Sequence, residues 1–167
     1  MRYILNKKDC KFLGKGKEGE VYLTPEGYAL KIFYKKKKAK EEVKLLADLA
    51  IENDLFVIAD EPYREYIEGI NLKEYIDLNG LSYNLSCEII DLVENFKSMK
   101  FTRINIRNAH IFVDNHEKIH VIDPRKVFSK NTPYPKDIVK ILVKSNVFDD
   151  FVKYLLDYKP ELINYWI

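Results

Sequence analysis

The chain has 167 residues, of which 47% are hydrophobic and 32% charged, a composition typical of one folded globular domain rather than of a disordered tail or a multidomain enzyme. Its 28 basic residues nearly balance 26 acidic ones, so net charge indicates neither nucleic acid nor an anionic membrane as a partner. No apolar run approaches the roughly 18 residues of a membrane span, and the two cysteines lack the spacing of a zinc site or a disulfide framework. We therefore expect a cytoplasmic protein with reduced thiols, no membrane span and no nucleic-acid partner.

Short apolar runs separated by turn residues indicate strands in the first part of the chain. Two successive hairpins are predicted there, the first around a glycine-rich stretch and the second around the turn Pro25-Glu26-Gly27. An apolar stripe from Ala39 to Ala50 predicts a helix over about 38–50. The predicted strands lie at 12–13, 21–23, 28–33, 56–59 and 63–67.

Helical periodicity predominates after Gly69, which we interpret as a break in the chain. One hairpin, at 111–113 and 119–122, interrupts the helices. The segment Tyr165-Trp166-Ile167 is expected to close the helical part. The predicted helices lie at 71–76, 85–99, 138–143 and 148–156, and the buried face of the second carries Ile89, Leu92, Val93 and Phe96.

Three glycines, Gly14, Gly16 and Gly19, form a G-x-G-x-x-G pattern that two kinds of phosphate-binding loop share. In a dinucleotide-binding domain the pattern opens directly into a helix, whereas here a strand and a turn follow it. A strand pair has no helix dipole, so bound phosphates need a cation from elsewhere. Lys31, flanked by apolar residues in the third strand, is the candidate cation, and Glu42, on the apolar face of the next helix, is its candidate partner.

The order of these features resembles the protein-kinase superfamily, and the resemblance covers most of the chain. It implies an α+β, kinase-like two-lobe fold in a single domain: an antiparallel β lobe with one helix at 1–68 and a short, mainly helical lobe at 69–167. The segment 65–69, Glu-Tyr-Ile-Glu-Gly, resembles the hinge between the lobes. The positions that the resemblance assigns to ATP are Gly14, Gly16, Gly19, Val21, Ala29, Lys31, Glu42, Glu65, Ile67 and Phe112.

Downstream, the resemblance follows spacing more than residue identity. Kinases carry H-R-D-x-x-x-x-N and, after a hairpin, D-F-G. Asp123 follows the predicted hairpin and matches the D-F-G aspartate, which places Asn105 at the catalytic aspartate and His110 at the metal-binding asparagine. The resemblance thus implies catalytic roles for Asn105, Arg107 and Asp123, and a Mg²⁺ or Mn²⁺ site at Asp123 and His110.

Several positions depart from the kinase pattern. Asn105 can orient a hydroxyl but cannot accept its proton, and a nitrogen ligand at His110 suits Mn²⁺ better than Mg²⁺. Arg64 stands at the gatekeeper position beside adenine, where an apolar side chain is usual. Only residues 124–167 follow Asp123, a shortened lobe similar to those of RIO and lipopolysaccharide kinases, in which Asp137 matches an aspartate that braces the catalytic loop.

Two functions stay open at this point. The first is an atypical Ser/Thr-type phosphotransferase that moves the γ-phosphate of ATP to the hydroxyl of an unidentified protein or small molecule. In that enzyme His110 is a candidate for the missing base. The second is a pseudokinase that serves as a nucleotide-binding or protein-interaction module. A kinase fold that binds no nucleotide is a third possibility, which Arg64 favours.

Overall fold

A computed structural model describes residues 7–41, 63–65, 68–122, 127–128 and 130–167 of the chain. The chain divides into two compact units, Met1–Tyr66 and Ile67–Ile167, two residues before the boundary expected from the sequence. Each unit contains one antiparallel sheet, of four strands in the first and three in the second, and helices accompany both. The expected α+β class is therefore confirmed.

The first unit is built on a meander of four strands in the order β1-β2-β3-β4. Helix α1 covers 36–41 of the described residues, and the remainder of the predicted 38–50 helix lies outside them, as does the predicted strand 56–59. The strands are β1 (Lys11–Lys15), β2 (Gly19–Leu23), β3 (Tyr28–Phe33) and β4 (Tyr63–Glu65). All four lie where the sequence predicts strands.

The turn between β2 and β3 shows why this hairpin forms. The backbone N–H of Gly27 donates to the carbonyl of Thr24 (3.0 Å), and the N–H of Thr24 donates to the carbonyl of Tyr28 (2.8 Å). Gly27 has a φ of 87°, a left-handed conformation that glycine adopts without steric cost. Tyr22 and Leu30, which face each other across the two strands, are buried on one side of the sheet.

The second unit combines the sheet β5-β6-β7 with five helices among its described residues. Its strands are β5 (Gly69–Asn71), β6 (Ile111–Asp114) and β7 (Ile119–Val121). Its helices are α2 (Leu72–Asn79), α3 (Tyr83–Ser98), α4 (Lys136–Lys144), α5 (Phe148–Tyr158) and α6 (Ile163–Trp166). The predicted hairpin and the predicted helices are confirmed, with shifts of a few residues at their ends.

One sequence-based interpretation in this unit is wrong. Gly69 does not break the chain but begins β5, which pairs with β6. A Cβ built on Gly69 would lie 2.5 Å from the carbonyl oxygen of Val113, so the residue must be glycine for the two strands to approach. Glycine in this strand marks close backbone contact rather than a turn.

The core of the second unit lies around α3, whose predicted inner residues Ile89, Leu92, Val93 and Phe96 are all buried. Trp166 at the end of the chain is fully buried, with its ring centroid 4.9 Å from that of Phe151 in α5. The expectation that the C-terminal segment closes the helical part is therefore confirmed. None of the helices in the described ranges is long and apolar enough to cross a membrane.

Candidate functional site

Five of the predicted nucleotide residues lie on one face of the sheet in the first unit. In the strand register, Val21 is opposite both Lys31 and Gly14, and Leu23 is opposite Ala29. Cross-strand partners share a face, and so do residues two apart along a strand. We call the face that carries Gly14, Gly19, Val21, Ala29 and Lys31 the lysine face.

Side chains on the lysine face remain partly open to solvent. Val21, Ala29 and Lys31 are half-buried. The ammonium of Lys31 lies 4.6 Å from the ring centroid of Phe33, two residues further along β3, which is a cation–π contact on the lysine face.

The opposite face of this sheet carries the packing. Tyr22 is buried there, and its hydroxyl donates to the carboxylate of Glu20 (2.6 Å), which also accepts a hydrogen bond from Lys7 (2.9 Å). The hydrogen bonds from Tyr22 and then Lys7 hold the pKa of Glu20 below its ordinary value. The face that carries Tyr22 is thus stabilised by burial and hydrogen bonds. The lysine face carries Lys31 next to Val21 and Ala29.

The three glycines of the loop meet different demands. None of them has a positive φ, whereas among the described glycines Gly27 and Gly80 do. A Cβ on Gly19 would lie 2.3 Å from the carbonyl oxygen of Ile32, so β3 itself requires glycine there. A Cβ on Gly14 would meet no atom of the described residues within 4 Å, and one on Gly16 would meet only the carbonyl oxygen of Gly19, at 3.9 Å.

Several predicted site residues lie outside the described residues or are described only in part. Glu42, Ile67 and Asp123 fall outside them. Glu65 and Arg64 belong to β4, where their backbones pair with Tyr28 and Ala29. The predicted Lys31–Glu42 ion pair, the hinge contacts to adenine and the Asp123 metal ligand therefore stay predictions.

The loop from 103 to 110 in the second unit is the segment matched to the kinase catalytic loop. Its start is anchored by backbone hydrogen bonds: the N–H of Arg103 donates to the carbonyl of Val127 (2.9 Å), and that of Ile104 to Thr132 (2.9 Å). Ile104 and Ile106 are buried, and Arg107 is exposed. The loop thus buries two apolar residues and turns its arginine toward solvent.

Asn105 makes the contact that distinguishes this loop. Its side-chain oxygen accepts a hydrogen bond from the backbone N–H of Asp137 in the first turn of α4 (2.7 Å). The resemblance implies that Asp137 braces the catalytic loop. Asp137 does contact this loop, and the contact joins its backbone N–H to the side chain of Asn105. The side-chain oxygen of Asn105, at the position matched to the catalytic aspartate, is therefore hydrogen-bonded to the N-terminus of α4.

His110 and Phe112 lie at the junction of this loop with the sheet. The N–H of His110 donates to the carbonyl of Arg107 (2.9 Å), and its own carbonyl accepts from the N–H of Ile122 (2.9 Å), the residue before Asp123. Phe112 is half-buried in β6, on the face opposite that of buried Ile111. Across the described ranges, no three His, Cys, Asp or Glu side chains group closely enough to hold a metal ion.

Two asparagines near this loop were not identified from the sequence. The side-chain oxygen of Asn108 accepts from the backbone N–H of Lys73 (2.9 Å), and its amide nitrogen donates to the side-chain oxygen of Asn71 (2.7 Å). Asn71 caps α2 by accepting from the N–H of Glu74 and donating to its carboxylate. The pattern Asn71-x-x-Glu74 signals that cap, whereas nothing in the local sequence signals the role of Asn108.

A further polar pair lies on the β6–β7 hairpin. The carboxylate of Asp114 and Nε2 of His120 are 2.8 Å apart, and the backbone N–H groups of His116 and Lys118 also donate to Asp114. Burial tends to raise the pKa of Asp114, but the bonds from His120 and from these two N–H groups outweigh it and hold the pKa below its ordinary value of 3.8. This arrangement fixes the hairpin turn.

Comparison with known protein families finds no family model that matches the chain, and comparison with curated proteins finds no match either. The resemblance to protein kinases therefore rests on the residues and spacings of the chain itself.

Proposed function

We infer that this protein is a kinase-like, two-lobed ATP-binding protein that transfers the γ-phosphate to a hydroxyl acceptor. The observation that carries the proposal is the pair Gly14 and Gly16. Neither backbone conformation nor a neighbour among the described residues requires glycine at either position. A ligand that approaches the backbone closely supplies a reason, and Lys31 stands on the same sheet face as Gly14 to neutralise an anion.

The lysine face supports ATP as that ligand. Small or β-branched residues, Ala29 and Val21, share the sheet face of Lys31, and the flat base is proposed to pack against them. The lysine cation lies along the same strand, where it fits a phosphate. Glu42, Glu65 and Ile67 complete the proposed nucleotide contacts, and Phe112 is proposed to cover the base.

The loop of the second unit is assigned the transfer step. The bond from the γ-phosphorus to the bridging oxygen of ADP breaks, a bond to the acceptor oxygen forms, and the hydroxyl proton passes to solvent. Arg107 is exposed and is proposed to stabilise charge on the transferred group. Because such transition states are usually loose and place little demand on a base, a neutral Asn105 is compatible with turnover, at a cost of roughly 10²–10⁴-fold in rate.

Asp123 and His110 are the residues proposed to hold a divalent cation, which would neutralise phosphate charge. An imidazole and one carboxylate form a mixed nitrogen and oxygen donor set that fits Mn²⁺ better than Mg²⁺. The backbone bond between Ile122 and His110 supports their association, because it ties the residue before Asp123 to His110.

A second candidate function, a pseudokinase that binds nucleotide without transferring phosphate, is favoured by one contact. The side-chain oxygen of Asn105 already accepts the N–H of Asp137, so an acceptor hydroxyl must share that oxygen with α4. In a pseudokinase, Asn105 would serve only to hold the loop against α4 and would take no part in phosphate transfer.

Single-turnover transfer of labelled γ-phosphate, with Mg²⁺ and then Mn²⁺, tests the transferase proposal and separates the two candidates. We expect turnover in the wild type, its loss in Asp123→Ala and a fall of about 100-fold in Arg107→Ala. Asp149→Ala, an exposed carboxylate on α5, is the matched control and should leave the rate unchanged. ATP binding without turnover, with activity gained in Asn105→Asp, would instead establish the pseudokinase.

A further inference from the structure

Asn105 and Asn108 make the same kind of contact with two different helices. The side-chain oxygen of Asn105 accepts the backbone N–H of Asp137 in α4 (2.7 Å), and that of Asn108 accepts the N–H of Lys73 in α2 (2.9 Å). Both N–H groups belong to the first turn of a helix, where the backbone has no partner within the helix. Each asparagine therefore caps a helix that is distant in sequence.

These caps are not redundant with local ones. The residue before α4, Pro135, makes no side-chain cap, so Asn105 supplies one from another part of the chain. At α2 the local cap Asn71 serves Glu74, while Asn108 serves Lys73 and also donates to Asn71. Of these two successive N–H groups of α2, that of Lys73 is thus satisfied only when the loop and the helix are together.

Arg107 lies between the two caps. Ile106 on one side of it is buried, and the carbonyl of Arg107 accepts the N–H of His110 (2.9 Å). The side chains of Asn105 and Asn108, on either side of this exposed arginine, therefore connect the loop to α4 and α2.

We propose that Asn105 and Asn108 are positioning residues that clamp the loop between α4 and α2 and so fix the backbone from which Arg107 reaches an anionic group. The identity of that anion as an ATP phosphate rests on the proposed function. The clamp requires a side-chain acceptor oxygen at position 105, which an aspartate would also supply and an alanine lacks.

Backbone hydrogen exchange tests the clamp without reference to activity. In Asn105→Ala we expect the N–H of Asp137, and in Asn108→Ala that of Lys73, to exchange at least about fivefold faster, as for loss of a helix cap. The N–H of His110, which reports on the backbone at Arg107, should accelerate in both variants. Asn105→Asp keeps the acceptor and should retain protection, and Asn84→Ala, an exposed asparagine of α3, is the control.

The N–H of Val93 in buried α3 is the internal reference. Faster exchange there in an alanine variant would indicate that the whole unit unfolds more often. In that case Asn105→Asp tests the clamp, because a clamp that depends on the side-chain oxygen retains the protection of Asp137 in that variant. Unchanged exchange at Asp137, Lys73 and His110 in the alanine variants would overturn the proposal.

ATP affinity in a double-mutant cycle tests the link to Arg107. If Asn108 acts through Arg107, Asn108→Ala should weaken binding in the wild type but add nothing to Arg107→Ala, whereas it should add fully to Lys31→Met. Full additivity with Arg107→Ala would overturn the positioning role even if the exchange rates change. Absence of ATP binding in the wild type would instead refute the proposed function, and exchange at His110 would still decide whether the clamp holds.

Discussion

Glycine at position 14 and glycine at position 19 differ in what each would tolerate. Gly14→Ala adds a methyl group that meets no described atom within 4 Å, so we expect the free energy of unfolding to stay the same or to rise by about 0.4–1 kcal/mol. The same methyl enters the space assigned to the phosphates, so ATP affinity should fall. Gly19→Ala places its methyl 2.3 Å from the carbonyl oxygen of Ile32 and should destabilise the sheet.

Urea unfolding and ATP titration of the two variants check this pair of expectations. Gly16→Ala is a second test of the ligand space, because its new methyl also meets no close neighbour. If Gly14→Ala and Gly16→Ala bind ATP as the wild type does, the glycines serve no nucleotide.

Residue positions were predictable from the sequence where short apolar runs and turn residues mark the strands. Ala29 and Lys31 share a face because they are two apart in one strand, whereas the pairing of Val21 with Lys31 depends on a register that the structure establishes. Asn108 could not be found in the same way, since its partner Lys73 lies 35 residues away in the chain and the contact depends on tertiary packing.

The β6–β7 hairpin should lose stability in acid through Asp114. Because the pKa of Asp114 is lower in the folded state, its contribution is complete above about pH 4 and disappears as the pH falls through the folded pKa. Asp114→Asn keeps an oxygen for the turn but loses the charge. We expect it to lower the free energy of unfolding by about 1 kcal/mol near about pH 6, and the difference to shrink as the pH falls through the folded pKa of Asp114.

Urea unfolding across this pH range checks the expectation, with Glu161→Gln, an exposed carboxylate of the same unit, as the control. A deficit for Asp114→Asn that persists unchanged in acid would show that the charge of Asp114 contributes nothing.

The short helix α6 should depend on one side chain. Trp166 is fully buried and packs against Phe151, so Trp166→Ala should lower the free energy of unfolding by about 3–5 kcal/mol. Ile167→Ala, at a position 71% exposed, should change it by less than about 0.5 kcal/mol. Thermal or urea unfolding distinguishes the two, and equal effects would mean that α6 does not dock through Trp166.

Elements were predictable where periodicity runs long enough. The 16-residue helix α3 shows its buried face directly in the sequence, whereas β5, with three residues of which one is glycine, is too short for any periodicity to register. Its strand conformation arises from pairing with β6, which local sequence does not encode.

At the scale of the whole molecule, composition and the order of strands and helices were sufficient to predict an α+β protein in which the strand-rich part comes first. They could not establish chemistry, because function depends on which side chains converge. The contact between Asn105 and Asp137 shows this: the resemblance to protein kinases implies a catalytic position for Asn105, and in the tertiary structure its side-chain oxygen accepts a hydrogen bond from a helix N-terminus.

The central claim is that the lysine face binds ATP, and equilibrium titration of the purified protein with ATP, followed calorimetrically, tests it most directly. We predict saturable binding by the wild type, a loss of about tenfold or more in Lys31→Met, and unchanged affinity in Lys37→Met, an exposed lysine of α1. Absence of binding in the wild type, or equal affinity in Lys31→Met and the wild type, would contradict the account.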